Sequence, residues 1–294
     1  MRKIVPVLFG LGGFLLVAGL VAALWAPGVV KKTPIEVNTT THLGGQAAKL
    51  NVATGELVTN PVLATSVTKS DTKVSDDKVI AWTNTSCLVI DEDNVPDCVD
   101  GDDPRLISAT TDVFATDRVT TLAVNDGKYL PADAVKHEGI VNKFPFDSKK
   151  KSYPYWDGTA GKPLTARYDR TAKLNGLPTF VYKVTAESLP IDIAEGVPGT
   201  YDDVKEIYVE PRTGSIVNQT DDQQRSLADG KLVLDLQLGF TDDQIKTSVA
   251  DTQDAISSLS LITRTVPIVG IVGGLALLIA GGVLMMRSRG ARRA

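Results

Sequence analysis

The chain has 294 residues, of which 31 are basic and 35 acidic, and hydrophobic residues make up 43% of it. This composition excludes a disordered chain, a collagen-like repeat and a small disulfide-dense scaffold. A net charge of −4 is atypical of proteins that bind nucleic-acid phosphates, so we expect no nucleic acid among the partners.

The first 30 residues are typical of a membrane span. Residues 4–30 carry no charge and lie between two pairs of basic residues. About 20 apolar residues suffice for a helix to cross the hydrocarbon core. We therefore predict a cytoplasmic N-terminus at residues 1–3 and a first transmembrane helix at 4–30. A cleaved signal peptide is the alternative, because Val21–Ala23 offers small residues at a suitable place.

The next segment, residues 31–240, predicts an extracytoplasmic β-rich domain. Runs rich in β-branched and aromatic residues, or alternating in polarity, predict antiparallel strands. These runs are Lys78–Val89, Thr179–Thr185, Glu206–Glu210, Ser215–Val217 and Lys231–Leu238.

Two parts of this domain have more specific patterns. Residues 33–50 are rich in Thr and Gly and predict an exit from the membrane or an irregular edge. Asn125-Asp126-Gly127 stands between Arg118–Val124 and Tyr129–Leu130. This arrangement predicts a β-hairpin.

The two cysteines, Cys87 and Cys98, are eleven positions apart. In an exported domain such a pair predicts a disulfide, and CxxC redox spacing is absent. Seven acidic residues lie within the segment 91–103. Clustered carboxylates suit Ca²⁺, but Val95 breaks the EF-hand pattern, so a solvated acidic loop is the favoured interpretation and we predict no metal site.

Enzyme signatures are missing from the sequence. The two histidines, His42 and His137, have no metal-ligand neighbours at helical spacing, and neither H-E-x-x-H nor G-x-S-x-G occurs. We therefore expect a protein that is not an enzyme, with no catalytic residues and no cofactor.

Aromatic residues concentrate between positions 144 and 182, and large rings bury much area. They predict either the organising core of the domain or a wall that faces a ligand. The residues concerned are Phe144, Phe146, Tyr153, Tyr155, Trp156, Phe180 and Tyr182.

The C-terminal part returns to helical patterns. Thr241 to Gln244 has capping-box spacing, and apolar residues follow at approximate helical intervals, so we predict a juxtamembrane helix over 241–265. Residues 266–286 carry no charge and predict the second transmembrane helix, followed by an Arg-rich cytoplasmic tail at 287–294. Gly270 and Gly274 form a G-x-x-x-G pair, which predicts close helix packing, most simply against the first span.

Charge segregation supports this threading through the membrane. All 35 acidic residues lie within 31–265, together with 25 basic ones, which gives this segment a net charge of −10. Cytoplasmic flanks of membrane helices carry excess Lys and Arg. We therefore predict a two-pass plasma-membrane protein with both termini in the cytoplasm.

Three motifs resemble a known family. They are F-P-F-D at Phe144–Asp147, Y-P-Y-W-D at Tyr153–Asp157 and N-G-L-P-T-F at Asn175–Phe180. Together with both spans they resemble the actinobacterial porin-A-like (PorA) family, a domain of unknown function. The resemblance implies a protein of the actinobacterial cell envelope, and the family name implies a porin.

The architecture is also similar to the CD36 scavenger-receptor plan, in which two terminal spans hold a β-rich ectodomain. That similarity implies a barrel-like sheet with an apolar tunnel for lipid. The predicted fold is therefore a β-rich α+β ectodomain with an antiparallel, barrel-like sheet, flanked by N- and C-terminal transmembrane helices.

These observations lead to one principal hypothesis and two alternatives. The principal hypothesis is a plasma-membrane-anchored envelope protein, in contact with the lipid bilayer, whose ectodomain binds or passes an envelope lipid or another apolar ligand. A structural or accessory subunit that contacts the proteins of a larger membrane complex is the first alternative. A pore is the second, although a transmembrane barrel requires long strands with apolar outer faces and the predicted strands are uneven and interrupted by charge.

Overall fold

The structure, a computed structural model, describes residues 4–92 and 94–290. The chain divides into two compact units. One is a helical unit formed by the two ends of the chain, and the other is a β unit of residues 33–253.

The β unit is one antiparallel ten-stranded sheet, curled into a half-barrel. Its order is β4-β3-β2-β1-β10-β9-β8-β7-β6-β5, so the first and last strands of the chain pair in the middle. The strands are β1 (Asn38–Leu50), β2 (Leu57–Asp71), β3 (Val79–Ile90), β4 (Leu106–Asp117), β5 (Tyr153–Asp157), β6 (Lys162–Leu174), β7 (Leu177–Ala194), β8 (Val197–Val209), β9 (Ile216–Leu227) and β10 (Leu232–Phe240).

Alternation of side chains explains why these residues form strands. On β8 every second residue from Gly199 to Val209 is buried, while the residues between them are half-buried or exposed. A strand has this period of two because successive side chains point to opposite faces of the sheet. The buried series of β8 thus defines which face of the sheet is covered.

The covered face is the concave one, as a contact across the sheet shows. Asp157 of β5 lies 3.3 Å from the Nζ atom of Lys205 on β8, although two strands separate β5 from β8 in the sheet. Such a contact requires β5 to lie across the hollow of the curl. The face that carries Lys205 is called the inner face below.

The two edge strands, β4 and β5, are joined by backbone hydrogen bonds through two short segments. Val124 donates to Ala115 of β4, Ala123 donates to Gly139, and Ile140 donates to Pro154 of β5. Both edges of the sheet are thereby partly paired, which reduces the number of unpaired backbone groups that make edge strands prone to aggregation.

The hairpin predicted at Asn125-Asp126-Gly127 is wrong. The described residues 118–152 form no strand and take part only in isolated β-bridges. The Asn125 side chain accepts a hydrogen bond from the backbone N–H of His137 and donates one to its carbonyl, and no hairpin forms. This side chain can replace a turn because its amide both donates and accepts hydrogen bonds. The segment therefore connects the two edge strands, β4 and β5, through these bridges.

The irregular edge predicted at residues 33–50 is also wrong over most of its length. Residues 38–50 form β1, which pairs with β2 and β10 in the middle of the sheet. At Gly45 a Cβ atom would meet the carbonyl oxygen of Gln237 on β10. The Gly residues thus permit close approach of neighbouring strands rather than irregular structure.

The helical unit contains α1 (Ile4–Val30), the end of α2 (Asp242–Ser260), a π-helical segment (Leu261–Thr265) and α3 (Val266–Gly290). α1 and the stretch Asp242–Arg287 are long and apolar enough to span a membrane. Since Gly19 lies against Gly270 and Phe9 lies against Gly281, α1 and α3 run antiparallel.

Candidate functional site

Aromatic rings fill one end of the inner face. The centroids of Phe144 and Tyr182 lie 4.6 Å apart, and Tyr153 packs edge-on against both rings. Tyr155 stacks on Phe144 with centroids 6.0 Å apart. These rings are at least nine-tenths buried and contact mainly each other, so they form a packed core cluster.

Of the other three predicted aromatics, Phe180 packs against the edge of this cluster, whereas Phe146 and Trp156 are not part of it. Phe180 is half-buried and packs edge-on against Tyr168. Phe146 is half-buried beneath the Nζ atom of Lys143, which lies 3.9 Å from the ring centroid. Trp156 points away from Tyr155, because the two are neighbours on β5.

Trp156 belongs to a second row of rings across the joined edges. It packs against His137 with centroids 4.5 Å apart, His137 packs against Phe114, and Phe114 packs against Trp82. The His137 ring is 1% exposed. Its Nε2 atom lies 2.8 Å from an oxygen of Asp112, and its Nδ1 atom lies 2.9 Å from the carbonyl of Val135. Both ring nitrogens are therefore held in structural contacts.

A buried charged cluster lies beside the aromatic core. The Nζ atom of Lys205 lies 3.1 Å from Asp221, 3.3 Å from Asp157 and 3.4 Å from Asp203. All four side chains are about nine-tenths buried or more. Neither carboxylate oxygen of Asp203 meets the geometric criterion for a hydrogen bond among the described residues, so the ammonium of Lys205, 3.4 Å away, is the main compensation for its lost hydration.

Burial and neighbouring charges shift the pKa values of two groups in this cluster. Burial raises the pKa of Asp203 to about 7, assisted by repulsion from Asp221 and Asp157. The pKa of Lys205 lies well above its usual value, because the attraction of the three carboxylates outweighs the effect of burial. The sequence analysis did not predict this cluster. A signal was available, because Asp203 and Lys205 occupy the alternate positions of β8 that are otherwise apolar or aromatic and buried.

An apolar strip crosses the inner face next to the charged cluster. Leu234, Leu236 and Leu238 of β10 pack with Ala47 of β1, Val62 and Ala64 of β2, and Leu88 of β3. Leu238 is paired with Asp221 on one side and with Gly45 on the other. Leu234 and Leu238 are only half-buried. The inner face is thus amphipathic, with a strip of aliphatic side chains beside a strip of charged ones.

The predicted disulfide between Cys87 and Cys98 is present. With Val95 and Val99 of the loop it covers Val89 and Leu63 of the sheet. The acids of this loop are partly engaged, since Asp103 pairs with Arg105 and Asp97 contacts His42. Among the described residues no group of three His, Cys, Asp or Glu side chains is arranged to hold a metal ion.

Two clefts open near these features. A cleft of about 280 Å³ lies beside the disulfide, lined by Thr65, Val67, Thr85, Ser86, Cys87, Asp97, Cys98, Ala109, Thr110 and Thr111. A second, of about 320 Å³, lies where residues 127–131 cover β3 and β4. Neither cleft is lined by any of the seven aromatics predicted from the sequence.

Gly270 and Gly274 lie at the contact between α1 and α3. A Cβ atom at Gly274 would lie 2.6 Å from the backbone nitrogen of Leu16, and one at Gly270 would lie 3.0 Å from the Cα of Gly19. Glycines permit this approach because they lack a side chain. The G-x-x-x-G pair is therefore used between the two helices of this chain.

A comparison with protein families shows which family the chain belongs to. A family model described as Porin PorA matches residues 5–283. The chain belongs to the Porin PorA family. It is therefore a porin-like protein of the cell envelope, and its membrane helices place it among membrane proteins that contact the bilayer. No curated protein matches it at a significant level.

Proposed function

We propose that this Porin PorA member is a two-pass envelope protein, anchored in the plasma membrane, whose inner face binds or passes a lipid or another amphiphile. The observation that carries the proposal is the amphipathic inner face. Half-buried Leu234 and Leu238 offer apolar contact, and Arg225 of β9, which is half-buried and paired with Leu234, offers polar contact beside the buried Lys205 cluster. A lipid has both kinds of surface, so its tail and headgroup fit the two strips.

Threading of the chain is part of this proposal, with both termini in the cytoplasm and the β unit outside. The antiparallel packing of α1 and α3 supports it, because two antiparallel spans bring the chain ends to one side. The Arg-rich tail supports the cytoplasmic assignment of that side.

Site-specific photocrosslinking tests the lipid-binding proposal. A diazirine amino acid is placed at Leu238 on the inner face, or at exposed Gln237 on the opposite face of the same strand, in the full chain in its native membrane. We expect lipid adducts, detected by mass spectrometry, at Leu238 and roughly tenfold fewer at Gln237, because only Leu238 lies in the apolar strip.

The paired positions make the result decisive. Equal yields at Leu238 and Gln237, or no lipid adduct at Leu238, would contradict lipid binding by the inner face. Because both probes occupy one strand of one chain, lipid held by α1 and α3 cannot produce a difference between them.

A pore is the second candidate, favoured by the family description. The outward residues of β8 and β9 count against a sheet embedded in lipid, since Asp202, Glu206, Asp222 and Gln224 occupy that face, whereas a transmembrane barrel has an apolar outer band. Stepwise ion conductance of the purified full chain in planar bilayers would favour the pore over lipid binding.

A further inference from the structure

We propose that three exposed lysines, Lys149, Lys150 and Lys151, form a docking surface for anionic lipid headgroups. They are called the lysine patch below. The inference rests on the proposed anchoring of the chain in a membrane and adds a second point of contact with that membrane. It is carried by the position of the patch in the β unit, its surroundings and its charge.

The patch lies at the end of the sheet where the chain enters and leaves the β unit. Ser148 donates to the carbonyl of Pro211 in the β8–β9 turn, and the Tyr182 hydroxyl donates to the carbonyl of Lys149. The antiparallel pairing places this turn at the end where β1 begins and β10 ends.

The same end is tied to the chain just after α1. The backbone N–H of Thr33 donates to the carbonyl of Arg118, and the Nε of Arg118 donates back to the carbonyl of Thr33. Only Lys31 and Lys32 separate Thr33 from the end of α1 at Val30. The linker between α1 and the first tethered residue of the β unit is therefore only two residues long.

Aromatic rings, two of them half-buried and one buried, lie beneath the lysines. The Nζ atom of Lys150 lies 5.4 Å from the ring centroid of Tyr168 and 5.3 Å from that of Phe180, and the Nζ of Lys151 lies 5.1 Å from the centroid of Tyr153. Lysines above aromatic rings suit the interface between water and lipid, because the stem and ring contact apolar groups while the ammonium reaches phosphate.

Three acidic side chains of the neighbouring strands and turn are engaged elsewhere. Buried Glu210 accepts bonds from Arg212 and Thr213, while Asp169 and Glu206 pair with Arg170. The structure describes no ion pair for the three lysines within residues 4–92 and 94–290. In a segment whose net charge is −10, three adjacent exposed cations are an exception that an anionic surface would favour.

The test uses the full chain in nanodiscs of neutral phosphatidylcholine, or of a mixture with phosphatidylglycerol. A fluorophore is attached at exposed Ser152 through Ser152→Cys, since both native cysteines are disulfide-bonded. Lipids carrying a headgroup nitroxide then quench it on contact. We expect stronger quenching in anionic discs than in neutral ones, and loss of the difference at high salt.

Charge variants identify the groups responsible. A lysine near an anionic surface contributes roughly a fivefold preference, so replacing all three with Gln should weaken headgroup contact by about 100-fold. Replacement with Arg should preserve the contact. The matched control replaces Lys49, Lys162 and Lys231, three exposed lysines away from the patch, with Gln, and should leave quenching unchanged.

The outcomes separate this inference from the proposed function. A chain that fails to enter nanodiscs of either composition contradicts membrane anchoring and overturns both. A chain that enters them but whose quenching is independent of lipid charge, or falls equally in the control variant, overturns the lysine patch alone.

Discussion

Asp203 is the residue whose environment most clearly penalises its charge. It is buried, it faces Asp157 and Asp221, and Lys205 is the cation that compensates all three. Three carboxylates around one ammonium leave an excess of negative charge in a region of low dielectric constant. The cluster is therefore sensitive to pH, and the sign of the effect follows from the pKa of Asp203.

Replacing Asp203 with Asn should stabilise the protein at pH 8. The pKa of about 7 in the folded state lies above the ordinary 3.8, so this group favours folding below pH 4 and the contribution is lost as the pH rises through 7. Asn lacks the charge, and we expect a gain in the free energy of unfolding on the order of 2 kcal/mol at pH 8 and almost none at pH 4.

Urea unfolding of the full chain in detergent at both pH values provides the measurement. Asp192→Asn, on the exposed part of β7, is the matched control and should change stability at neither pH. A loss of stability in the Asp203 variant at pH 8 would show that the carboxylate, despite its burial, is a favourable partner of Lys205.

At the scale of elements, the contact between α1 and α3 depends on small residues at defined helix positions. A side chain at Gly274 would meet the backbone of Leu16 and Gly12, whereas one at neighbouring Gly273 would meet nothing within 4 Å. These two adjacent glycines provide a test in which composition is matched and only the face of the helix differs.

Gly274→Leu should separate the two helices and Gly273→Leu should not. Overpacking of this kind typically costs about 1–3 kcal/mol. Oxidative crosslinking of cysteines introduced at positions 8 and 281 measures the helix contact. A Cβ atom at Gly281 would lie 3.5 Å from the Cβ atom of Leu8, and this distance suits a disulfide. Equal crosslinking in the two Leu variants would refute this packing.

At the scale of the whole molecule, the proposal of function depends on which side of the membrane each part occupies. The net charge of −10 in residues 31–265 and the Arg-rich tail favour an external β unit with internal termini. The hairpin tip at residues 51–56 is exposed, which makes it a suitable site for a topological label.

A membrane-impermeant maleimide applied to intact cells should label Ala53→Cys and should not label a cysteine appended after Ala294 until the membrane is permeabilised. The background is the labelling of the chain without an added cysteine, in which Cys87 and Cys98 are joined by the disulfide. Labelling of the C-terminal cysteine in intact cells, with Ala53→Cys protected, would contradict the proposed threading.

Local patterns in the sequence determined the membrane helices, the β-rich class, the disulfide and the start of α2. Each depends on neighbours along the chain, on the length of an apolar run, or on a short loop between cysteines. Capping at Thr241 is an example, since its hydroxyl accepts a bond from the N–H of Gln244 three positions later.

Tertiary structure alone decided the pairing of β1 with β10, the joining of β4 to β5 and the assembly of Lys205 with Asp157 and Asp221 of other strands. Asp157 and Lys205 are 48 positions apart, and no local pattern specifies which curl of the sheet brings them together. It also decided that the inward aromatics pack on each other while leucines and charges share the remaining inner face. The physical reason is that burial and charge compensation depend on what lies across the sheet.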